Sequence, residues 1–108
     1  MDVQLKKGML DACVLASIAR GDTYGYKITQ DIVTIMQFSE SALYPVLRRL
    51  EKQGLFNTYT VEQNGRLRKY YRITPEGNAR LCQYRQELWE FSKIIQFVTD
   101  EVATNDQR

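Results

Sequence analysis

Between Leu5 and Arg20 almost every position beyond the opening polar residues is apolar, and Met9, Leu10, Cys13, Val14, Leu15 and Ile18 fall on more than one side of a helical wheel. That pattern predicts a helix buried around most of its circumference. Gly21 ends it, and Asp22 or Thr23 offers an oxygen to the free amides that open the next helix. The second helix is expected from Tyr24 to about Met36, with Ile28, Ile32 and either Ile35 or Met36 on one face. Gln37 and Phe38 make a short break. Ser39 or Ser41 then caps a third helix whose Leu43, Leu47 and Leu50 repeat at i, i+4 and i+7, and Gly54 marks its end.

After Gly54 the period falls to two. Leu55, Asn57, Tyr59 and Val61 point one way and Phe56, Thr58 and Thr60 the other, so a strand follows the third helix. Asn64-Gly65 tolerates the positive φ of a type I′ turn and predicts a tight hairpin, with the return strand from Arg68 to Ile73. Thr74 supplies an N-cap oxygen and Pro75 a preset φ, so a long helix starts here and runs to about Val102. The order predicts a mainly α fold with a small β-hairpin, a winged helix-turn-helix followed by a long C-terminal dimerisation helix. Residues 1–74 form the winged domain, 75–103 the dimerisation helix and 104–108 a disordered tail.

At 108 residues there is room for one core and an appended helix, not for two domains. The longest apolar stretch, Ala12 to Ala19, is interrupted by Ser17 and falls short of the ~20 residues of a membrane span. No secretory signal is visible in the first residues, so a cytoplasmic address and no membrane partner are expected. Cys13 and Cys82 lie in helical apolar patterns and read as free thiols acting as small buried hydrophobes. The chain has no histidine, no glycine-rich phosphate loop and no Cys or carboxylate set at metal spacing. Neither an enzyme, a metal site nor a cofactor is expected.

The net charge of +2 is unevenly spread. The first third is neutral, the middle third carries seven basic and three acidic side chains, and the last third is acidic. Arg66, Arg68, Lys69 and Arg72 follow one another without an acid between them, which favours a polyanion partner. Charges at a hairpin edge also discourage aggregation. That role accounts for one or two cations better than for three around a glycine turn. On the third helix, with the leucines committed to the core, Ser41, Tyr44, Arg48 and Lys52 lie on other faces, and Ser39 stands at its mouth. Arginine suits bidentate contact with guanine, and hydroxyls bond phosphate oxygens. The candidate contacts with double-stranded DNA are Ser39, Ser41, Tyr44, Arg48, Arg66, Arg68 and Lys69. Pro45, inside the same helix, loses a backbone hydrogen bond and is expected to shape the turn that meets DNA.

Three motifs occur in order: Tyr24-Gly25-Tyr26-Lys27-Ile28, the run from Leu43 through Tyr44-Pro45 to Gly54-Leu55, and the run from Gly65 through Lys69-Tyr70-Tyr71-Arg72 to Thr74-Pro75-Glu76-Gly77. Together they closely resemble the PadR family of transcriptional regulators, over about Gly8 to Val98. The resemblance implies a ligand-responsive dimeric repressor and a DNA-binding role for Tyr24 beside Tyr44 and the wing cations. Leu67 departs from the family pattern, which often has proline or a basic residue there.

In the last helix Leu81, Tyr84, Leu88, Phe91, Ile95, Val98 and Val102 alternate spacings of three and four, the seam of a heptad pattern. Some 27 residues at about 1.5 Å each extend about 40 Å, more than the domain needs, so this seam is expected at a homodimer interface. Its competitor is packing on the first helix of the same chain. Two-fold symmetry then predicts a pseudo-palindromic operator. Trp89 lies one position off the seam. Multidrug-responsive PadR members resemble this chain in carrying a tryptophan in the dimerising helix, which implies a small aromatic effector stacking there. The alternative function is a winged helix used for protein–protein contact, as an adaptor without sequence-specific DNA binding.

Overall fold

The computed structural model describes residues 3–100. Val102, the last position of the expected seam, and the expected tail at 104–108 lie outside them. Helix α1 spans Val3–Ala19, strand β1 Thr23–Tyr24, helix α2 Gly25–Val33 and helix α3 Glu40–Lys52. Strands β2 (Phe56–Gln63) and β3 (Arg66–Ile73) form the hairpin, and α4 runs over Pro75–Thr99. This is the expected winged helix-turn-helix with its trailing helix.

Helix α1 is the central post. Leu10, Ala12, Val14, Leu15 and Ile18 are all buried, and α2, α3, β3 and α4 all pack around it. Ile28 and Ile32 of α2 and Leu43, Val46, Leu47 and Leu50 of α3 close the core, with Phe56 and Tyr71 from the sheet at a ring separation of 5.2 Å. Helix α2 ends at Val33, three residues before the expected Met36. Of the two alternatives for its last inward position, Met36 packs on the core while Ile35 faces solvent at 68 % exposure.

The sheet has three strands where a two-stranded wing was expected, in the order β1-β3-β2. Thr23 pairs with Tyr71 and Tyr24 with Tyr70. Thr23 and Asp22 therefore do not cap α2. Tyr24 occupies that position without a side-chain bond, the Thr23 hydroxyl is buried with no partner among the described residues, and Asp22 turns to the wing. The hairpin closes on Gln63 and Arg66 across Asn64 and Gly65, whose φ values of 52° and 78° fit the type I′ turn. The return strand thus starts at Arg66, two residues before the expected Arg68, because a two-residue turn puts its flanking residues directly into the ladder.

A tight corner joins α3 to α4. Gly54, at φ +76°, lets the chain leave α3 while Leu55 N–H bonds the Leu50 carbonyl. The Thr74 hydroxyl accepts from Gly77 N–H at 3.0 Å and donates to the Gly54 carbonyl at 2.7 Å, and Thr74 N–H bonds the Leu55 carbonyl. This confirms Thr74 as the N-cap of α4 and adds a second duty. Beyond the corner only Gly77 and Leu81 of α4 are buried. The helix then projects from the domain, and the molecule measures 65 × 25 × 23 Å with a radius of gyration of 17.1 Å, against about 13 Å for a compact chain of this length.

Gly77 is required by space, not by backbone conformation. A Cβ there would stand 2.0 Å from the Leu55 carbonyl oxygen and 2.8 Å from the Ile73 side chain. Helix propensity alone makes Gly77→Ala favourable by about 1 kcal/mol, but the clash falls on backbone that cannot swing aside. The substitution is expected to destabilise the fold by about 2 kcal/mol or more, read as a lower urea midpoint by circular dichroism.

Candidate nucleic-acid interface

The turn between α2 and α3 presents the start of α3 to solvent. Ser39 is its N-cap residue but makes no capping bond; its hydroxyl instead meets that of Ser41 at 3.2 Å. Helix α3 is continuous through Pro45, and Tyr44, half exposed, and Arg48 both face outward. Their direction follows from the opposite face. Leu43, Leu47 and Leu50 are held in the core, and Arg49 is turned inward to Asp11, with both guanidinium nitrogens 2.8 Å from the carboxylate oxygens. Asp11 is only 6 % exposed. The bidentate ion pair satisfies an otherwise costly buried charge and raises the Arg49 pKa. Successive helical residues differ by about 100°, so Arg49 turned inward leaves Arg48 facing out.

The wing stands beside this helix, and the space between them is a trough of about 650 Å³. Of the expected DNA-contact residues, Tyr24, Tyr44, Arg66, Arg68 and Lys69 all line it. Ser39, Ser41 and Arg48 lie outside its lining, on the exposed surface of α3 and its entry turn. Tyr26, 68 % exposed and braced by Gln30 at 2.9 Å, lines the trough and was missed in the contact set. The motif Tyr24-Gly25-Tyr26 was its only signal in the sequence.

The cations of β3 divide by strand alternation. Arg68, Tyr70 and Arg72 share one face of the sheet, while Lys69, Tyr71 and Ile73 share the other. Three of the four cations of β3 ride on a ring: Arg68 on Tyr24 at 4.3 Å, Lys69 on Tyr71 at 5.7 Å and Arg72 on Tyr59 at 4.9 Å. Their electrostatic states differ. Arg72 is paired with Asp22 at 2.8 Å, which also accepts the Tyr59 hydroxyl at 2.6 Å. It therefore leaves the group of free wing cations in which the sequence placed it. Arg66, Arg68 and Lys69 have no acidic partner among the described residues. Three unneutralised cations, the tyrosines Tyr24, Tyr26 and Tyr44 and an exposed helix face thus surround one concave surface, which fits the backbone and groove edges of a nucleic acid duplex.

The residues expected at a dimer seam separate into two groups. Leu81 is 2 % exposed and belongs to the chain's own core, so it does not lie on a free seam. Tyr84 is half-buried, with its hydroxyl 3.5 Å from Asp11. Leu88, Ile95 and Val98 are 40, 45 and 74 % exposed, Phe91 is half-buried, and Phe97 off the seam reaches 87 %. Trp89 is 67 % exposed. Cys82 also faces solvent, because it lies one residue round the helix from Leu81, whereas Cys13 is half-buried and burial raises its thiol pKa. Among the described residues no helix is long and apolar enough to cross a membrane, and no group of three His, Cys, Asp or Glu is gathered for a metal.

The Asp22 clamp carries its own test. The hydrogen bonds from Arg72 and then Tyr59 hold its carboxyl below the ordinary value of 3.8. Because the folded-state pKa is the lower one, the clamp's contribution is complete above that value and is lost as the pH falls through the folded pKa. Carboxyl-detected NMR titration is expected to find Asp22 titrating below 3.8, and Arg72→Gln is expected to raise it toward that value.

A family model described as the transcriptional regulator PadR-like family matches residues 14–83. Transcriptional regulator Rv3488 of Mycobacterium tuberculosis is 35% identical over 83 residues, covering 76% of this chain and 78% of that protein. Among solved structures, smu.1704 from Streptococcus mutans UA159 is 40% identical with a TM-score of 0.75, over 85% of this chain and 88% of the other. A PadR family transcription regulator from Clostridium difficile R20291 is 31% identical with a TM-score of 0.71, over 81% and 93%. With its winged helix, the exposed face of α3 and a matched segment that spans most of the domain, the chain belongs to the PadR-like family of transcriptional regulators, and its role is regulatory rather than enzymatic.

Proposed function

We propose that the chain is a cytoplasmic, ligand-responsive repressor that binds a pseudo-palindromic operator as a homodimer. The observation that carries the DNA-binding part is the trough itself, where Arg66, Arg68 and Lys69 stand without acidic partners opposite Tyr44 of α3. Helix α3 reads base edges through Arg48 and Tyr44, with Ser39 and Ser41 on the phosphates at its N-terminus. The wing cations and Tyr24 hold the flanking backbone. In this division 1–74 is the reading domain and 75–103 the assembly segment, with α4 as its described part.

Support for the homodimer comes from the outer half of α4, where Leu88, Ile95 and Val98 are left in solvent on the expected seam. A partner helix laid along it removes this apolar surface from water. The two-fold axis then sets two copies of α3 about 34 to 36 Å apart on one duplex face. Trp89, exposed beside the seam, offers a flat aromatic effector a ring to stack on. Occupancy there alters the angle between the two α4 helices and so the spacing of the reading helices.

Three outcomes test this reading. Arg68→Ala is expected to weaken binding to all duplexes alike, while Arg48→Ala or Tyr44→Phe erases the preference for the selected operator at a cost of about 1–3 kcal/mol. Competition binding against random-sequence DNA distinguishes the two effects, and operator preference unchanged in Arg48→Ala and Tyr44→Phe refutes the assignment of α3. Ile95→Glu with Val98→Glu is expected to give a monomer by analytical ultracentrifugation. Trp89 fluorescence that stays unquenched by a panel of planar cationic and phenolic compounds removes the effector site.

A further inference from the structure

The outer face of the sheet carries a row of side chains of which the contact set uses only Tyr24 and Arg68. Tyr24, Tyr70 and Tyr59 are direct cross-strand partners on β1, β3 and β2. Tyr59 and Tyr70 stack with centroids 5.6 Å apart and planes within 17°, and Tyr70 meets Tyr24 edge-on at 5.7 Å. Arg68 lies over the Tyr24 ring and Arg72 over Tyr59. Arg72 and the Tyr59 hydroxyl are both held by Asp22, two residues before Tyr24. The row thus starts at Asp22, returns to the same short segment at Tyr24, and runs on to Arg68. Every ring is fixed from two sides, and Arg68 is the terminal member.

We infer that Tyr70 is a positioning residue for DNA binding. It holds the Tyr24 ring against which Arg68 is ordered, so that this arginine meets a backbone phosphate already aimed. An arginine at a hairpin tip otherwise samples many rotamers and loses that freedom on binding; ordering it beforehand removes the loss. Tyr70 is absent from the trough lining that Tyr24 and Arg68 share, so its effect on DNA passes through these two. The inference rests on the DNA-binding reading above, with Tyr24 acting as contact and as platform.

The test uses the full chain in two measurements. In free protein, ¹⁵N relaxation at Arg68 Nε is expected to show an ordered side chain in the wild type and in Tyr70→Phe, and a mobile one in Tyr70→Leu. For binding, fluorescence anisotropy on a labelled duplex of about 30 base pairs is followed between about 50 and 250 mM salt, where each lost phosphate contact lowers the slope of log K against log salt by about 0.9. Arg68→Ala is expected to lower it by that amount per protomer. Tyr70→Leu lowers it in the same direction with an affinity loss of about fivefold, Tyr70→Phe restores both, and Arg68→Ala with Tyr70→Leu is no weaker than Arg68→Ala alone. Thermal unfolding of Tyr70→Leu verifies the fold. Should that variant not fold, Tyr59→Leu removes the next ring of the row and is expected to give the same two signatures.

An Arg68 side chain equally ordered in Tyr70→Leu, or additive losses in the double variant, overturns the inference and leaves the DNA-binding reading standing. A wild-type protein with no salt-dependent affinity for the duplex overturns both.

Discussion

One ion pair orients helix α3. Asp11 is a carboxylate in the middle of the most buried helix, a placement tolerated only because Arg49 meets it with two hydrogen bonds of 2.8 Å. Apolar packing specifies that Leu43, Leu47 and Leu50 turn inward, but a row of similar aliphatic side chains permits small rotations about the helix axis. A bidentate guanidinium–carboxylate contact does not, because it fixes direction as well as distance. Tyr84 of α4 leans its hydroxyl toward the same carboxylate. The post α1, helix α3 and the projecting α4 therefore converge on one charged group.

The same principle sorts the positive charge. Seven basic residues fall in the middle third of the chain, yet they do not act as one patch. Arg49 is consumed by Asp11 and Arg72 by Asp22, both acids from the first third. The remaining wing cations are those nearest the hairpin tip. Neutralisation by distant acids thus sharpens a diffuse basic stretch into a local one. It also assigns the two paired arginines to architecture, one orienting α3 and the other fastening the base of the wing.

What the sequence disclosed follows from what carries a period. The helices repeat every three or four residues and the hairpin every two, and Asn64-Gly65 names its own turn, so these elements were legible. Strand β1 was not, since two residues contain no repeat, and Asp22 and Thr23 are residue types that also cap helices. The end of α2 was overrun because Ile35 and Met36 continue its apolar spacing after the backbone has left the helix. The seam of α4 was legible as a pattern but not as to partner: Leu81 keeps the rhythm while packing inside its own chain. Tyr24, Tyr44 and the tip cations came together as expected. Tyr59, Tyr70 and Asp22 were invisible as a row, since their association depends on the register of three strands. Gly77 reads as a weak helix former until the Leu55 carbonyl is seen beside it.

The corner built by Gly54, Leu55, Thr74 and Gly77 makes α4 a lever and itself the fulcrum. The hydrogen bonds that start α4 end on the carbonyls of Gly54 and Leu55, and those two residues are bonded in turn to the last turn of α3. With an arm of some 37 Å, a swing of about 3 Å at the far tip is only about 5° at the pivot. Such gearing turns a coarse displacement at the outer end into a fine rotation of the helix at the pivot. Cushioning at the joint would waste it, and the absence of any side chain at residue 77, metal on metal as it were, keeps the bearing stiff.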